Sequence, residues 1–126
     1  MKKLYRAKAT ATDHYVYGDL LFHKSGSIYI EYYSNDTLTS VKIDPSTLSR
    51  FTDLADTAYR PIYTGDIVFA YHNQTHVQFF GRIVMMDEKV WIKELHSGEM
   101  YLWNDNYSLT IQEKSGDLTE ENLYPF

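Results

Sequence analysis

The chain has 126 residues with 12 basic and 17 acidic side chains, a formal net charge of −5, and no cysteine. That length allows one domain, or two small sub-domains that share a core. The absence of cysteine excludes disulfides, thiolate metal sites and cysteine nucleophiles. No apolar run approaches the ~20 residues of a membrane-spanning helix, and the first residues lack the pattern of a signal peptide. We therefore expect a cytoplasmic protein with no membrane partner.

Apolar residues in the first half of the chain recur at every second position, which is the spacing of β-strands rather than of helices. The turn residues Asn35-Asp36 separate two such segments, because short polar side chains hydrogen-bond their own backbone. The predicted strands of this half are residues 4–10, 15–22, 27–33 and 38–43.

One short helical turn is predicted near residues 45–51. Asp44 is a good helix N-cap, and Pro45 suits the first position of a helix. Leu48 and Phe51 follow at a spacing of three residues. Strong helix formers are missing from the segment, so we expect one or two turns and not a long helix.

The second half of the chain has five short segments with the same alternation, separated by turn residues. Five such strands fit a small SH3-like barrel, and Gly81 would mark a bend in the longest of them. The predicted fold class is mainly β, with two small all-β sub-domains at residues 1–59 and 60–126. The second of these is the SH3-like barrel, followed by an apolar tail. Its predicted strands are residues 66–71, 77–86, 89–95, 99–103 and 109–113.

A Gly-Asp pair precedes an apolar segment twice, as Gly18-Asp19 and as Gly65-Asp66. Both pairs are interpreted as turns, because glycine adopts backbone conformations that other residues avoid. Each turn is expected to lead into a buried strand of its own sub-domain.

The segment around His96-Ser97-Gly98 is predicted to form a β-hairpin with a three-residue loop, in which Leu95 pairs with Glu99. In that register the aliphatic residues point inward, and the opposite face gathers aromatic residues suited to a contact surface. This surface could be covered by the same chain or by another molecule, and both alternatives stay open. The candidate interface residues are Trp91, Lys93, Tyr101 and Trp103.

Charge is unevenly distributed along the chain. Residues 1–63 carry eight basic and seven acidic side chains, whereas residues 64–126 carry four and ten. Binding to a nucleic-acid backbone requires clustered lysine and arginine, and such a cluster occurs only at the predicted first strand. Nucleic-acid binding, with nearby aromatic residues to stack on bases, is therefore the less favoured alternative. The residues of this cluster are Lys2, Lys3, Arg6 and Lys8.

The sequence contains no arrangement of residues typical of catalysis or of a cofactor site. Its six glycines are scattered, so a phosphate-binding loop is excluded. His72 and His76 have a spacing that suits zinc on a helix, but they lie in a predicted loop. A Gly-x-Ser-x-Gly motif is also absent. We therefore predict no catalytic residues, no metal, no cofactor and no enzymatic activity.

Four motifs appear in an order that resembles the YopX-like proteins of phages and prophages. They are Tyr-Arg-Ala at residues 5–7, Tyr-Gly-Asp-Leu at 17–20, a segment containing Asp-Pro at 43–54, and Ile-Tyr-Thr-Gly-Asp-Ile-Val at 62–68. The resemblance implies an all-β protein of two sub-domains, encoded by a phage or prophage and located in the cytoplasm of a bacterial host. It implies no activity, because the family has no assigned catalytic or binding residues.

The favoured function is that of a non-catalytic accessory protein that acts through protein–protein contacts. It is based on the aromatic face of the hairpin, the acidic second half and the lack of a recognisable active site. Self-association is the contact expected first. A basic host or phage protein is a second candidate partner, because residues 64–126 are acidic.

Overall fold

The structure is a computed structural model that describes residues 4–112 of the chain. Within these residues the backbone forms eleven β-strands and one short 3₁₀ turn, with the strands in two antiparallel sheets. This confirms the prediction of a mainly β protein. The chain divides into two compact units between Phe51 and Thr52, whereas the sequence analysis predicts the boundary after residue 59.

The first unit is built from five antiparallel strands. They are β1 (Tyr5–Lys8), β2 (Tyr15–Phe22), β3 (Ile28–Ser34), β4 (Thr37–Lys42) and β5 (Ser49–Ala55), the last of which continues into the second unit. In the sheet they lie in the order β4, β3, β2, β1, β5. Alternate residues of a strand point to opposite faces, and Ala7, Ile30 and Ile43 form the buried core on one of these faces. The four strands predicted in this half are confirmed.

The helical turn is shorter than predicted. The Asp44 carboxylate accepts a hydrogen bond from the Ser46 amide at 3.0 Å, and the 3₁₀ turn covers only Pro45–Thr47. The extension of this turn to Phe51 is wrong, because that segment belongs to β5. The Phe51 amide donates to the carbonyl oxygen of Leu4 at 2.7 Å, and this pairing overrides a weak helical preference.

Gly18 lies in the middle of β2, at the point where the strand changes its neighbour. Residues 15–18 pair with β1, and residues 19–22 pair with β3. A Cβ atom at Gly18 would lie 2.1 Å from the carbonyl oxygen of Glu31, so the close approach of β3 requires glycine here. The prediction of a turn at Gly18 is therefore wrong. The other predicted turn is present, with Gly65 at a φ of 89°.

The second unit contains a five-stranded antiparallel sheet and one further short strand. Its strands are β6 (Pro61–Tyr63), β7 (Ile67–His72), β8 (Gln78–Met86), β9 (Lys89–Glu94), β10 (Met100–Leu102) and β11 (Tyr107–Ile111). The order in the sheet is β10, β9, β8, β7, β11. All five predicted strands are present, but the SH3-like barrel is not confirmed. A barrel requires its first and last strands to pair, and in the part of the chain described here β10 and β11 lie at opposite edges of an open sheet. The predicted apolar tail, at residues 113–126, lies outside the described residues.

One face of this sheet carries the core of the second unit. The partly buried side chain of Trp103 packs against this core, as does that of Leu54. The buried members are Ile62, Val68, Ala70, Ile83, Ile92 and Leu109.

The hairpin between β9 and β10 differs from its predicted register by one residue. Tyr101 pairs with Ile92, and Leu102 pairs with Trp91. The loop therefore has four residues, 95–98, instead of three. Because side chains alternate between faces, a shift of one residue exchanges the faces of one strand relative to the other.

Leu95 accounts for this shift. Leu95 is only 7% exposed. Its side chain packs with that of Ile67, and Phe80 packs against both. Its amide donates to the carbonyl oxygen of Phe80 at 3.1 Å, so it does not pair with Glu99 as predicted. Burial of a leucine against the neighbouring strands stabilises the longer loop.

The carboxylate of Asp56 connects the turn after β5 to β11. Its side chain is fully buried and lies 2.7 Å from the guanidinium of Arg60. It also accepts hydrogen bonds from the backbone amides of Ala58, Arg60 and Ile111 at 2.9, 2.9 and 3.1 Å. Burial raises the pKa of Asp56, but the hydrogen bonds from Arg60, Ile111 and Ala58 more than offset this effect. The pKa of the carboxyl group therefore lies below its ordinary value.

Candidate functional site

The face of the second sheet opposite its core is also largely apolar. We call it the Trp91 face. Trp91 pairs with Val84 on one side and with Leu102 on the other, so these three side chains form a row across three strands. Leu102 is 44% exposed, and Met86, the last residue of β8, is 46% exposed. Apart from the buried Ile67, the apolar side chains of the Trp91 face are those of Phe69, Phe80, Val84, Met86, Trp91, Met100 and Leu102.

Basic side chains lie on the same face as these apolar residues. Arg82 and Lys93 lie opposite each other, and Lys89 lies opposite Met86. Among residues 52–112 the only other basic side chain is that of Arg60, which is held by the buried carboxylate. No carboxylate of the described strand residues on β7–β10 lies on this face. The Trp91 face therefore combines apolar side chains with positive charge.

The predicted interface residues do not share one face. Trp91 and Lys93 belong to the Trp91 face. Tyr101 lies at an alternate position of β10 and Trp103 lies just after that strand, so both side chains point to the core side. Trp103 packs against the core. The prediction that all four form a single surface is therefore wrong, and the cause is the one-residue shift of the hairpin.

Tyr101 has partners within its own unit. Its ring lies 4.9 Å from that of Phe79, measured between centroids. Its hydroxyl donates to the Glu99 carboxylate at 2.6 Å. This hydrogen bond is the main reason why the pKa of Tyr101 is raised, with smaller contributions from burial and from the charge of Glu99. Tyr101 thus serves packing in the second unit.

The two histidines considered for a metal site have roles in their own loop. Nδ1 of His72 lies 3.1 Å from the Thr75 amide, and its ring packs against Tyr107 with centroids 4.8 Å apart. Nδ1 of His76 lies 2.5 Å from the hydroxyl of Tyr71. Within residues 4–112, no three His, Asp or Glu side chains are grouped as metal ligands would be.

The basic cluster of the alternative hypothesis is described only in part, because Lys2 and Lys3 lie outside the described residues. Arg6 and Lys8 are on β1 and point to the face opposite the core of the first unit. Both approach the ring of Tyr15 on β2. The guanidinium carbon of Arg6 lies 5.0 Å from the ring centroid, and Nζ of Lys8 lies 5.6 Å from it, which are cation–π distances.

A cleft opens beside this group. It forms where β2 leaves β3, since residues 15–18 pair only with β1, whereas the end of β3 pairs with β4. Its volume is about 190 Å³. Tyr15 is 45% exposed at its edge. The residues that line it are Tyr15, Val16, Tyr17 and Tyr32.

Sequence reasoning missed this cleft, although a signal was available. The predicted strands at residues 4–10 and 15–22, paired as a hairpin from residues 10 and 15, place Arg6 and Lys8 on the same face as Tyr15 and Tyr17. The observed register keeps these faces and sets Lys8 opposite Tyr15 and Arg6 opposite Tyr17. The divergence of β2 and β3 at Gly18, which opens the cleft, has no local signal.

Two comparisons with known proteins give matches. The family model described as YopX protein matches residues 4–119. The crystal structure of protein YopX from Bacillus subtilis has a similar fold, with a TM-score of 0.56 and 15% sequence identity, and the match covers 89% of this chain and 91% of that one. No curated protein matches the sequence. Within residues 4–112, no helix has the length and apolar character needed to cross a membrane.

Proposed function

The chain belongs to the YopX protein family, and from that premise we propose that it is a non-catalytic protein that acts through protein–protein contacts, including self-association. The proposal includes the setting that the resemblance implies, which is a phage or prophage product in the cytoplasm of a bacterial host. In this proposal the function of the chain is to bind other proteins, and the Trp91 face is the surface that contacts them.

The observation that carries this proposal is the composition of the Trp91 face. Aromatic residues, methionine and arginine are enriched at the centres of protein interfaces, because they bury a large area. Trp91, Met100 and Arg82 are of these types. Leu102 remains 44% exposed beside Trp91, and apolar surface of this kind is typical of contact sites.

The charge of this face supports a contact with an acidic surface. In a two-fold contact the same patch meets itself, which would bring Arg82 and Lys93 close to their own copies. The same unit carries acidic residues elsewhere, such as Glu94 and Glu99. We therefore propose that the Trp91 face of one copy contacts an acidic surface of a second copy. A basic host or phage protein would dock on that acidic surface instead.

Sedimentation velocity across roughly 1–100 µM protein, the range of weak protein affinities, tests the proposal. We expect concentration-dependent association of the full chain. The double variant Trp91→Ser plus Leu102→Ser should weaken it at least about tenfold, which corresponds to roughly 1.4 kcal/mol.

The first unit offers a matched control. Tyr33 and Leu38 also form an exposed cross-strand pair of an aromatic residue and leucine, 62% and 53% exposed. Tyr33→Ser plus Leu38→Ser should leave association unchanged. A monomer at every concentration, or equal losses in the two double variants, would contradict the proposal.

A further inference from the structure

We propose that the C-terminal segment, residues 113–126, binds the Trp91 face of its own chain, with its acidic side chains at Arg82 and Lys93 and its aromatic side chains at the apolar residues beside them. The segment then competes with a second copy for this surface. The inference rests on the proposed function, because it names a second occupant for the surface that the proposed function assigns to self-association.

The composition of the C-terminal segment complements that of the Trp91 face. The segment lies outside the described residues, and its sequence carries four acidic side chains, one basic side chain and the apolar run Leu-Tyr-Pro-Phe at 123–126. The face has Arg82 and Lys93 among apolar side chains. Opposite charges attract across an interface, and aromatic side chains bury a large apolar area. An acidic and aromatic segment is therefore a suitable occupant.

The two cations are placed to act on one acidic ligand. Arg82 and Lys93 lie opposite each other on neighbouring strands, where two like charges destabilise a sheet. Lys93 is exposed, and its ammonium has no carboxylate partner within residues 4–112. Nη1 of Arg82 donates to the carbonyl oxygen of Gly65 at 3.3 Å, which uses one of the five N–H donors of a guanidinium. A bound carboxylate would relieve the repulsion between the two cations.

The C-terminal segment begins beside this pair. The amide of Gln112 donates to the carbonyl oxygen of Ile67 at 3.0 Å, and Ile67 lies opposite Arg82. Adjacent strands are about 4.8 Å apart, so Arg82 lies about 10 Å and Lys93 about 14 Å across the sheet from the start of the segment. A stretch of 14 residues reaches at most about 46 Å, which is enough to cross the whole face.

Attachment to the same chain favours this occupant over a second copy. A short connection gives an effective concentration on the order of 1 mM, about ten times the roughly 100 µM dissociation constant of a weak contact. The face is then open in about one molecule in ten, and the apparent affinity for a second copy falls by about the same factor. Self-association of the full chain is therefore weaker than the Trp91 face alone would give.

Quenching of Trp91 fluorescence by acrylamide tests this contact. The chain has two tryptophans, so Trp103→Phe in the full chain leaves Trp91 as the reporter. At about 1 µM protein, below the dissociation constant of a weak contact, few copies associate. In this background Glu120→Lys plus Glu121→Lys, the charge variant, should raise the quenching constant at least about twofold, because it uncovers a face that is closed in about nine molecules in ten.

Two further measurements separate the charged from the apolar part of the contact. Tyr124→Ser plus Phe126→Ser should also raise the quenching constant. An increase from about 0.1 to about 1 M salt, which shortens the Debye length from about 10 to about 3 Å, should raise the quenching constant of the unchanged segment more than that of the charge variant. Arg82→Glu plus Lys93→Glu, combined with the charge variant, should restore protection, because the charges are then reversed on both sides.

Sedimentation velocity of the chain with both tryptophans gives an independent result if Trp103→Phe does not fold. Release of the segment in the charge variant should strengthen self-association by up to about tenfold. Weaker association would show that the segment binds a second copy, and the intramolecular proposal would then be wrong. Asp19→Lys plus Glu31→Lys is the matched control, because it changes the net charge equally at a cross-strand pair of the first unit. It should alter neither association nor quenching.

Other results would also overturn the proposal. They are an unchanged quenching constant in both segment variants and an equal rise in the control, with circular dichroism to verify that each variant is folded. A chain that stays monomeric in every variant would contradict the proposed function instead. The quenching of Trp91 would still decide whether the segment binds, so the two failures are distinguishable.

Discussion

Replacement of Asp56 by alanine is expected to be the most destabilising single change to a charged residue of the second unit. The carboxylate accepts hydrogen bonds from three backbone amides and pairs with Arg60, and its side chain is 0% exposed. The variant leaves those donors without the buried carboxylate that accepts from them, and it also removes the partner of a guanidinium that donates to the Ile111 carbonyl oxygen at 3.0 Å.

The magnitude follows from these contacts. Removal of one partner of a buried ion pair costs about 3–5 kcal/mol. The side chain of Arg60 is 30% exposed and can be partly rehydrated, so we expect the lower end, about 3 kcal/mol. For a protein of this size that corresponds to a fall in Tm of about 12 °C, from roughly 4 °C per kcal/mol.

Thermal and urea unfolding of the full chain measure this loss. Asp105→Ala, a substitution of an exposed aspartate in the turn before β11, should change the free energy of unfolding by no more than about 0.5 kcal/mol. If Asp56→Ala were as stable as the wild type to within about 1 kcal/mol, the assignment of Asp56 as the anchor of this turn would be refuted.

The same residue predicts a dependence on pH. The pKa of Asp56 is lower in the folded than in the unfolded protein, where it is about 3.9. Its contribution is therefore fully present above the unfolded pKa and is lost as the pH falls through the folded pKa. Urea unfolding at a series of pH values should show the stability difference between the wild type and Asp56→Asn constant near neutrality and shrinking below about pH 4. A difference that stays constant in acid would contradict the pKa direction.

Two further substitutions test the packing of each unit. Gly18→Ala places a Cβ atom 2.1 Å from the Glu31 carbonyl oxygen, so we expect a loss of about 2–3 kcal/mol in urea unfolding, typical of overpacking; an unchanged midpoint would show that β3 does not need this close approach. Trp103→Ala removes a ring that packs against the core and should cost about 3 kcal/mol, whereas Trp91→Ala should affect self-association more than the free energy of unfolding. Equal losses of stability in the two tryptophan variants would contradict the observed hairpin register.

Two features of the fold were predictable because they depend on neighbours along the chain. The alternation of residues 15–22 gave the bounds of β2, and the cap at Asp44 is present as expected. Likewise, the apolar segments after Arg60 were recognised as strands because period-two alternation persists whatever a strand later pairs with.

The two Gly-Asp pairs show where local information ends. Gly65 has a φ of 89° and forms a turn, whereas Gly18 lies in mid-strand because β3 approaches its backbone. The two pairs have similar neighbours in the sequence. What distinguishes them is a contact with Glu31, thirteen residues away, and local turn chemistry contains no information about it.

The amino-acid sequence by itself determined the mainly β class, the positions of the strands and the absence of cysteine chemistry, since these follow from composition and short-range periodicity. Only the tertiary structure decided which side chains share a surface. Burial of Leu95 against Ile67 lengthened one loop by a single residue, and in a β-sheet that is enough to move Trp103 to the core side while Trp91 stays on the opposite face. The candidate sites therefore depend on register, which is set by packing between strands.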